Sequence, residues 1–178
     1  MITLHRITDT GSEAYRFVEE LLSAAFPREE YREFAEWREL TARKGIFHNN
    51  LICDDGAPVG FISFWDFGRF HYVEHFATLP QLRNRGYGKQ VLELLPGVLQ
   101  TPIVLEAEAP DSDMARRRIG FYRRHGFALW GGEYRQPPYR AGGDWLPMCL
   151  MAYGDLPEFS EVRDTIYREV YGCKAPNE

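Results

Sequence analysis

The stretch from His71 to Glu108 constrains the fold of this chain more than any other. It opens with the aromatic and β-branched run "HYVEHFAT", turns through "LPQLRNRGYGKQ", continues as the amphipathic "YGKQVLELL" and ends in "TPIVLEAE". Strand, glycine loop, helix and strand in that order predict a crossover between two parallel strands. The second strand is too apolar at its start to lie at a sheet edge, and Pro96 with Gly97 is expected to end the helix.

The flanks extend this unit into an α/β sheet. Upstream, "NLICDD", "APVGFISFWDF" and "RFHYVEHFAT" are separated by turn residues and read as an antiparallel meander. Before them, Ser12 caps a helix whose Ala14, Phe17, Val18, Leu21, Leu22 and Ala25 recur at helical spacing until Pro27. A second helix is predicted from about Glu29 to Lys44, with Tyr31, Phe34, Leu40 and Thr41 on one side. Downstream, "SDMARRRIGFYRRH" is a helix stopped by Gly126, "FALWGGEYRQPPYRAGGD" a strand and long loop, and "LPMCLMAYG" a strand. In "EFSEVRDTIYREVYG", Phe159, Val162, Ile166 and Val170 share one helical face, and the final "KAPNE" reads as disordered. The order is helix, helix, three strands, helix, strand, helix, two strands, helix: an α/β domain with a mixed sheet.

A chain of 178 residues suits one domain with a single core. Its 21 basic and 26 acidic residues leave a net charge of -5, which gives no general attraction to nucleic acid or an anionic membrane. The arginines of "ARRRIGFYRRH" encircle a short helix and match no nucleic-acid motif. Three widely spaced cysteines, Cys53, Cys149 and Cys173, fit reduced thiols in a cytoplasm better than disulfides or zinc ligands. The start lacks a secretion signal, and no run approaches the roughly 20 apolar residues of a membrane span. A cytoplasmic protein is the expectation.

Any anion site must then be local, and the glycine loop supplies one. Amides at a helix start have no intrahelical partner and lie at the positive end of the macrodipole, so main chain alone can bind phosphate. Gly86 and Gly88 give close access, while Arg83, Arg85 and Lys89 add charged donors, a density suited to a pyrophosphate. The P-loop and dinucleotide patterns do not fit, the latter because Val91 stands where a third glycine belongs. Taken alone, the loop could also be an ordinary strand-to-helix turn with solvated arginines.

Two motifs together carry a resemblance. "HFATLPQLRNRGYG" resembles the signature of the Gcn5-related N-acetyltransferases (GNAT), with Arg83, Gly86 and Gly88 filling the pattern Q/RxxGxG/A. It departs at Asn84, where many members carry glycine, and at Thr78, where an aliphatic residue is common. "IGFYRRHGF", from Ile119 to Phe127, is similar to the family's second signature. The resemblance covers about Thr3 to Tyr153. It implies a mixed, mostly antiparallel sheet of about six to seven strands flanked by helices. The chain 1–178 would then be a single acyltransferase domain with a core of about 3–153 and an added C-terminal helix of about 157–172.

The resemblance also implies acetyl-CoA as acyl donor and no metal. The pyrophosphate would lie against Arg83, Asn84, Arg85, Gly86, Tyr87, Gly88 and Lys89, and pantetheine would pair with main chain at Phe76, Ala77 and Thr78 between two splayed strands. Arg116, Arg123 or Arg124 would face solvent or the adenosine phosphates. Acetyl transfer to a primary amine, by direct attack through a tetrahedral intermediate, needs a proton acceptor for the amine, an oxyanion donor and an acid for the departing thiolate. Tyr122 is the family's candidate acid, although a core tyrosine would share its helical face with Ile119 in the same way. Glu74 is the first choice of base, expected on the strand face of Tyr72 and Phe76 with His75 pointing away. Its other reading is a residue facing solvent or a structural ion pair with an arginine. Glu106 and Glu108, on one face of the next strand, are the runners-up, and the oxyanion donor is expected among the amides of Ala77 or Thr78. The five histidines show no ligand spacing.

The resemblance further implies that the acceptor, a small-molecule or peptide amine, lies between "FPREEYR", with Glu29, Glu30 and Tyr31, and "GEYRQPPYRAGGDW", with Tyr134, Tyr139 and Arg140. Tyr167 and Tyr171, read as exposed, are compatible with a homodimer. The rival reading is a non-catalytic acyl-CoA or nucleotide sensor that keeps the loop without turnover.

Overall fold

Seven strands form one mixed sheet in the computed structural model, which describes residues 1–175. In spatial order they are β1 (Ile2–Ile7), β2 (Phe47–Asp54), β3 (Ala57–Asp66), β4 (His71–Thr78), β5 (Ile103–Glu108), β7 (Leu146–Tyr153) and β6 (Ala128–Gln136). Only β4 and β5 run parallel; every other neighbouring pair is antiparallel. β1 is the strand the sequence reading missed. It is a short edge strand that sends Ile2 and Ile7 to opposite faces and leaves polar residues outward, so its alternation is weak.

Five helices cover the two faces. α1 (Glu13–Ala25), α2 (Phe34–Arg43) and α5 (Phe159–Glu169) bury Val18, Leu22, Trp37, Val162 and Ile166 on one side. α3 (Tyr87–Leu99) and α4 (Asp113–Arg124) bury Val91, Leu92, Leu95 and Ile119 on the other. Ser12 and Ser112 cap α1 and α4 by accepting from the amides of Tyr15 and Ala115, each at 3.1 Å.

Three boundaries differ from the sequence reading. α2 starts at Phe34 rather than Glu29, because a single 3₁₀ turn at Arg28–Glu30 is followed by an extended link. That link lets Tyr31 enter the core and carries Arg32 under the sheet, leaving them 6% and 2% exposed. α3 continues through Pro96 to Leu99, since Leu99 extends the buried stripe of Leu92 and Leu95. At the other end Ala175 packs against the core, whereas the rest of the "KAPNE" tail, 176–178, lies outside the described residues.

One irregularity positions the site. Ser63 pairs with His75 but Phe64 pairs with Val73, so Glu74 is an extra residue in β4, a β-bulge. The bulge changes which side chains share a face. Glu74 and His75 both turn toward α1 and α2, where His75 packs on Phe26 and Trp37 with ring centroids 4.9 and 5.4 Å apart. Phe76 turns to the opposite face from Tyr72. The regular alternation expected from sequence, with Glu74 beside Phe76 and His75 pointing away, therefore fails at this residue.

Candidate active site

Pairing between β4 and β5 stops at Val73 and Leu105, immediately before the bulge. Beyond that point β4 pairs only with β3, so the side of residues 74–78 that faces β5 has no strand partner. A cleft of about 420 Å³ fills the gap, and a second of about 540 Å³ continues it along the glycine loop. Phe76, Ala77, Thr78, Arg83, Arg118 and Tyr122 border both.

The outer cleft is lined by Arg83, Asn84, Gly86, Tyr87, Gly88 and Lys89; Arg85 is the one residue of the expected loop set that does not line it. Asn84 has φ 64°, in the left-handed region where asparagine is among the better-tolerated residues after glycine. The departure from the family pattern at this position is thereby accommodated. Gly86 is the N-cap of α3, and no side chain caps the helix, so the first-turn amides remain free for an anion. A Cβ on Gly88 would sit 3.2 Å from the ring of Phe121, so glycine keeps α4 close to the loop. Uncapped amides flanked by Arg83 and Lys89 are a donor set that fits a pyrophosphate. The Tyr87 hydroxyl is tied to Asp54 at 3.2 Å, which leaves its main chain to serve the cleft.

The inner cleft is lined by Glu30, Glu74, Glu106 and Glu108, with Phe26, Met114 and Met148 as apolar wall. The carboxylates differ sharply. Glu74 has a side chain that is 0% exposed, so only its main chain reaches the gap. One of its oxygens accepts from Arg32 at 2.6 Å and from the Tyr139 hydroxyl at 2.8 Å, and the other accepts from the Trp65 indole at 2.7 Å. Burial, the largest influence, would raise this carboxyl, but the Arg32 guanidinium and the hydrogen bonds the carboxylate accepts together outweigh it, and Glu74 stays below the usual carboxylate range. Sealed from solvent, the first-choice base has its charge committed to Arg32.

Glu106 is held by neutral groups. Its carboxylate accepts from the Tyr134 hydroxyl, from Gln136 Nε2 at 2.5 Å and from the Tyr171 hydroxyl at 3.0 Å, and the Tyr72 hydroxyl lies 3.3 Å from that of Tyr171. Burial pushes it up to about 7 against these donors, which favour the charged form. Glu108 instead faces Arg118 at 3.3 Å, and burial together with Glu108 raises Glu30. On the far side of the gap, Tyr122 projects from α4 between Phe121 and Phe127, and burial raises its phenol.

The two acceptor loops are bolted together rather than open. Arg140 donates to Glu33 at 2.6 Å and to the Arg28 carbonyl at 2.6 Å. Glu30 reaches the cleft, but Tyr31 stacks on Phe34 in the core, while Tyr134 and Tyr139 stand behind Glu106 and Glu74. Tyr167 and Tyr171 also turn inward: Tyr167 is 2% exposed and donates to the Arg135 carbonyl at 2.7 Å. Neither offers the exposed surface expected for a dimer. Sequence reasoning missed Arg32, which looked like one more solvated charge in "PREEYREF", and Gln136, which carried no signal at all.

Comparison with known proteins agrees with this geometry. Residues 11–127 match the model of the acetyltransferase (GNAT) family. A solved GNAT-family protein from Bacteroides thetaiotaomicron is 53% identical, with 97% of this chain and 99% of that chain covered and a TM-score of 0.94. An Arabidopsis thaliana protein bound to the bisubstrate analogue CoA-Ac-MVNAL superposes at TM-score 0.62 and 14% identity, over 86% of this chain and 99% of its own. The dodecameric spermidine N-acetyltransferase of Vibrio cholerae does so at 0.59 and 16%, over 85% and 92%. Among curated proteins none matches significantly. A glycine loop at a helix start, a gap between parallel strands and a family match spanning both motifs lead to one conclusion: this chain is an acetyltransferase enzyme of the GNAT family.

Proposed function

We propose that this enzyme acetylates a primary amine with acetyl-CoA in the cytoplasm, by direct attack of the amine, with Glu106 as proton acceptor and Tyr122 as proton donor. The observation that carries the reading is the gap itself, which puts Glu106 and Tyr122 in one continuous cleft with the glycine loop. Bound there, acetyl-CoA supplies an activated thioester carbonyl. Arg83 to Lys89 would hold its pyrophosphate, and the free side of Phe76 to Thr78 would take pantetheine, with Ala77 or Thr78 offering the oxyanion amide.

An alkylammonium has a pKa near roughly 10.4 and must lose protons in order to attack. Glu106, pushed up to about 7 by burial, accepts a proton from the amine in the attacking step more effectively than an ordinary carboxylate does. Glu74 then belongs to the scaffold, pinning the bulge to α2 through Arg32. Tyr122 stays protonated because burial raises it, and full transfer to a thiolate of pKa about 8.5 runs uphill. Its main service is the hydrogen bond to the sulfur as negative charge develops. Glu30, Glu106 and Glu108 along the wall favour an acceptor that carries positive charge. The structural neighbours include both a spermidine acetyltransferase and a protein bound to a peptide-linked analogue, so small amines and peptide termini both belong in a first screen.

The test begins with the melting temperature in the presence of acetyl-CoA, CoA or ATP. Both CoA forms should stabilise by about 2.7 kcal/mol at 100 times their dissociation constants, and ATP much less. Thiol release is then followed with butane-1,4-diamine, n-butylamine and short peptides. Tyr122→Phe should lower kcat by about 10²-fold. No stabilisation by either CoA form would overturn the donor assignment; stabilisation without thiol release from any amine would favour the sensor reading.

A further inference from the structure

Gln136, at the end of β6, is a polar residue of the inner cleft that this mechanism leaves unused. It is 5% exposed. Its Nε2 donates to Glu106 at 2.5 Å, which fixes the orientation of the amide, and its Oε1 is buried without any hydrogen-bond partner. His75, in the same cleft lining and 3% exposed, is in a similar state. Its Nε2 meets the Glu30 carbonyl oxygen at 2.8 Å, and because a carbonyl only accepts, Nε2 carries the proton. Burial lowers its basicity, so the ring is neutral and Nδ1, also unpartnered, is a bare lone pair. Leaving a buried acceptor unpaired costs about 1–3 kcal/mol, and two in one cleft call for a ligand with N–H bonds to give.

We propose that Gln136 orients the acceptor: its Oε1 receives one N–H of the incoming amine while Glu106 receives another, so that the site selects primary over secondary amines. The proposal rests on the amine-acetylation reading above. A primary ammonium carries three N–H bonds, and one of its protons leaves to solvent before attack. A neutral primary amine keeps two. In the transfer, the nitrogen lone pair forms the N–C bond, the C–S bond breaks with its electron pair going to sulfur, one N–H proton passes to Glu106, and CoA leaves as a thiolate that accepts a hydrogen bond from the Tyr122 hydroxyl. The remaining N–H stays on the amide product and stays donated to Gln136. A secondary amine has only one N–H in the attacking form, so it must leave either Gln136 or Glu106 unpaired.

The probes are n-butylamine and N-methylbutylamine. Wild-type kcat/KM should favour the primary amine by about 10–100-fold, the range expected when a site built for an N–H meets an analogue lacking it, with relaxation allowed for. In Gln136→Met, of similar volume, the ratio should fall below about threefold, chiefly through loss of the primary amine's rate. If Gln136 is only structural, both rates fall together and the ratio survives, which overturns the proposal. A second measurement needs neither turnover nor a variant: wild-type protein saturated with CoA is titrated calorimetrically with each amine. Tighter binding of n-butylamine is expected; equal binding, or binding of neither, overturns the subsite. If no amine in the screen releases thiol, the acetylation reading itself has failed; if amines are acetylated but the ratio resists Gln136→Met, only the role of Gln136 has.

Discussion

Glu74 and Glu106 stand on adjacent strands, turn to the same side of the sheet and are both screened by tyrosines, yet they are driven in opposite directions. Glu74 meets the Arg32 guanidinium and is held as a carboxylate below its ordinary range. Glu106 meets two tyrosine hydroxyls and an amide and is pushed up to about 7 by burial. The difference teaches that burial does not decide what a carboxylate does here. The partner does: a cation makes Glu74 part of the frame, and neutral donors leave Glu106 able to exchange a proton near neutral pH.

The strongest attempt to break this contrast is to remove each carboxylate in turn. Glu106→Gln should lower kcat/KM by about 10²–10⁴-fold while the protein remains folded. Activity within threefold of wild type would show that the proton leaves by another route. Glu74→Gln should do its damage to stability instead, costing about 3–5 kcal/mol in urea unfolding, because Arg32 is left buried without its counter-charge. Adding Arg32→Met to Glu74→Gln should restore most of that loss; if it does not, the pair is not the anchor described.

Stability against pH sharpens the contrast further. The folded value of Glu106 lies above its unfolded one, so its contribution is fully present below about 4.5 and is lost as pH rises toward about 7, by at most about 1.4 kcal/mol per pH unit. Glu74 has the opposite sign: its contribution is present above the ordinary carboxylate value and lost in acid. The melting temperature of Glu106→Gln should therefore gain on that of wild type between pH 5 and 8, and a constant difference would contradict the assignment. The smallest effect expected is that of Tyr171→Phe. Removing one donor to the charged form of Glu106 should move the acid limb of kcat/KM upward by about 0.7 of a pH unit, the equivalent of a hydrogen bond worth about 1 kcal/mol.

What could be read from the sequence was local. The loop from Arg83 to Lys89, the caps Ser12 and Ser112 and the position of Tyr122 on its helix all depend on residues within a turn or two, and the structure puts the loop and Tyr122 along one gap. What sets the two carboxylates apart was not local. It turned on one extra residue in β4, which no composition signal marks, and on Arg32, separated from Glu74 by 42 positions. Gln136 and Tyr171 likewise reach Glu106 across 30 and 65 positions. β1 escaped notice for a different reason: an edge strand buries too little to impose a clear alternation.

Those separations also set an order of assembly. The hydroxyls and amide around Glu106 come from residue 72, from residues 134 and 136, and from residue 171, beyond α5, so the environment of this carboxylate is among the last things a folding chain can complete. A partly folded form in which α5 and the segment after it have come away would keep the glycine loop and its anion site. It would also return Glu106 to water and to the acidity of an ordinary carboxylate. Warming should therefore silence acetyl transfer before it abolishes CoA binding, with the gap between the two temperatures reporting the free energy of opening that C-terminal segment.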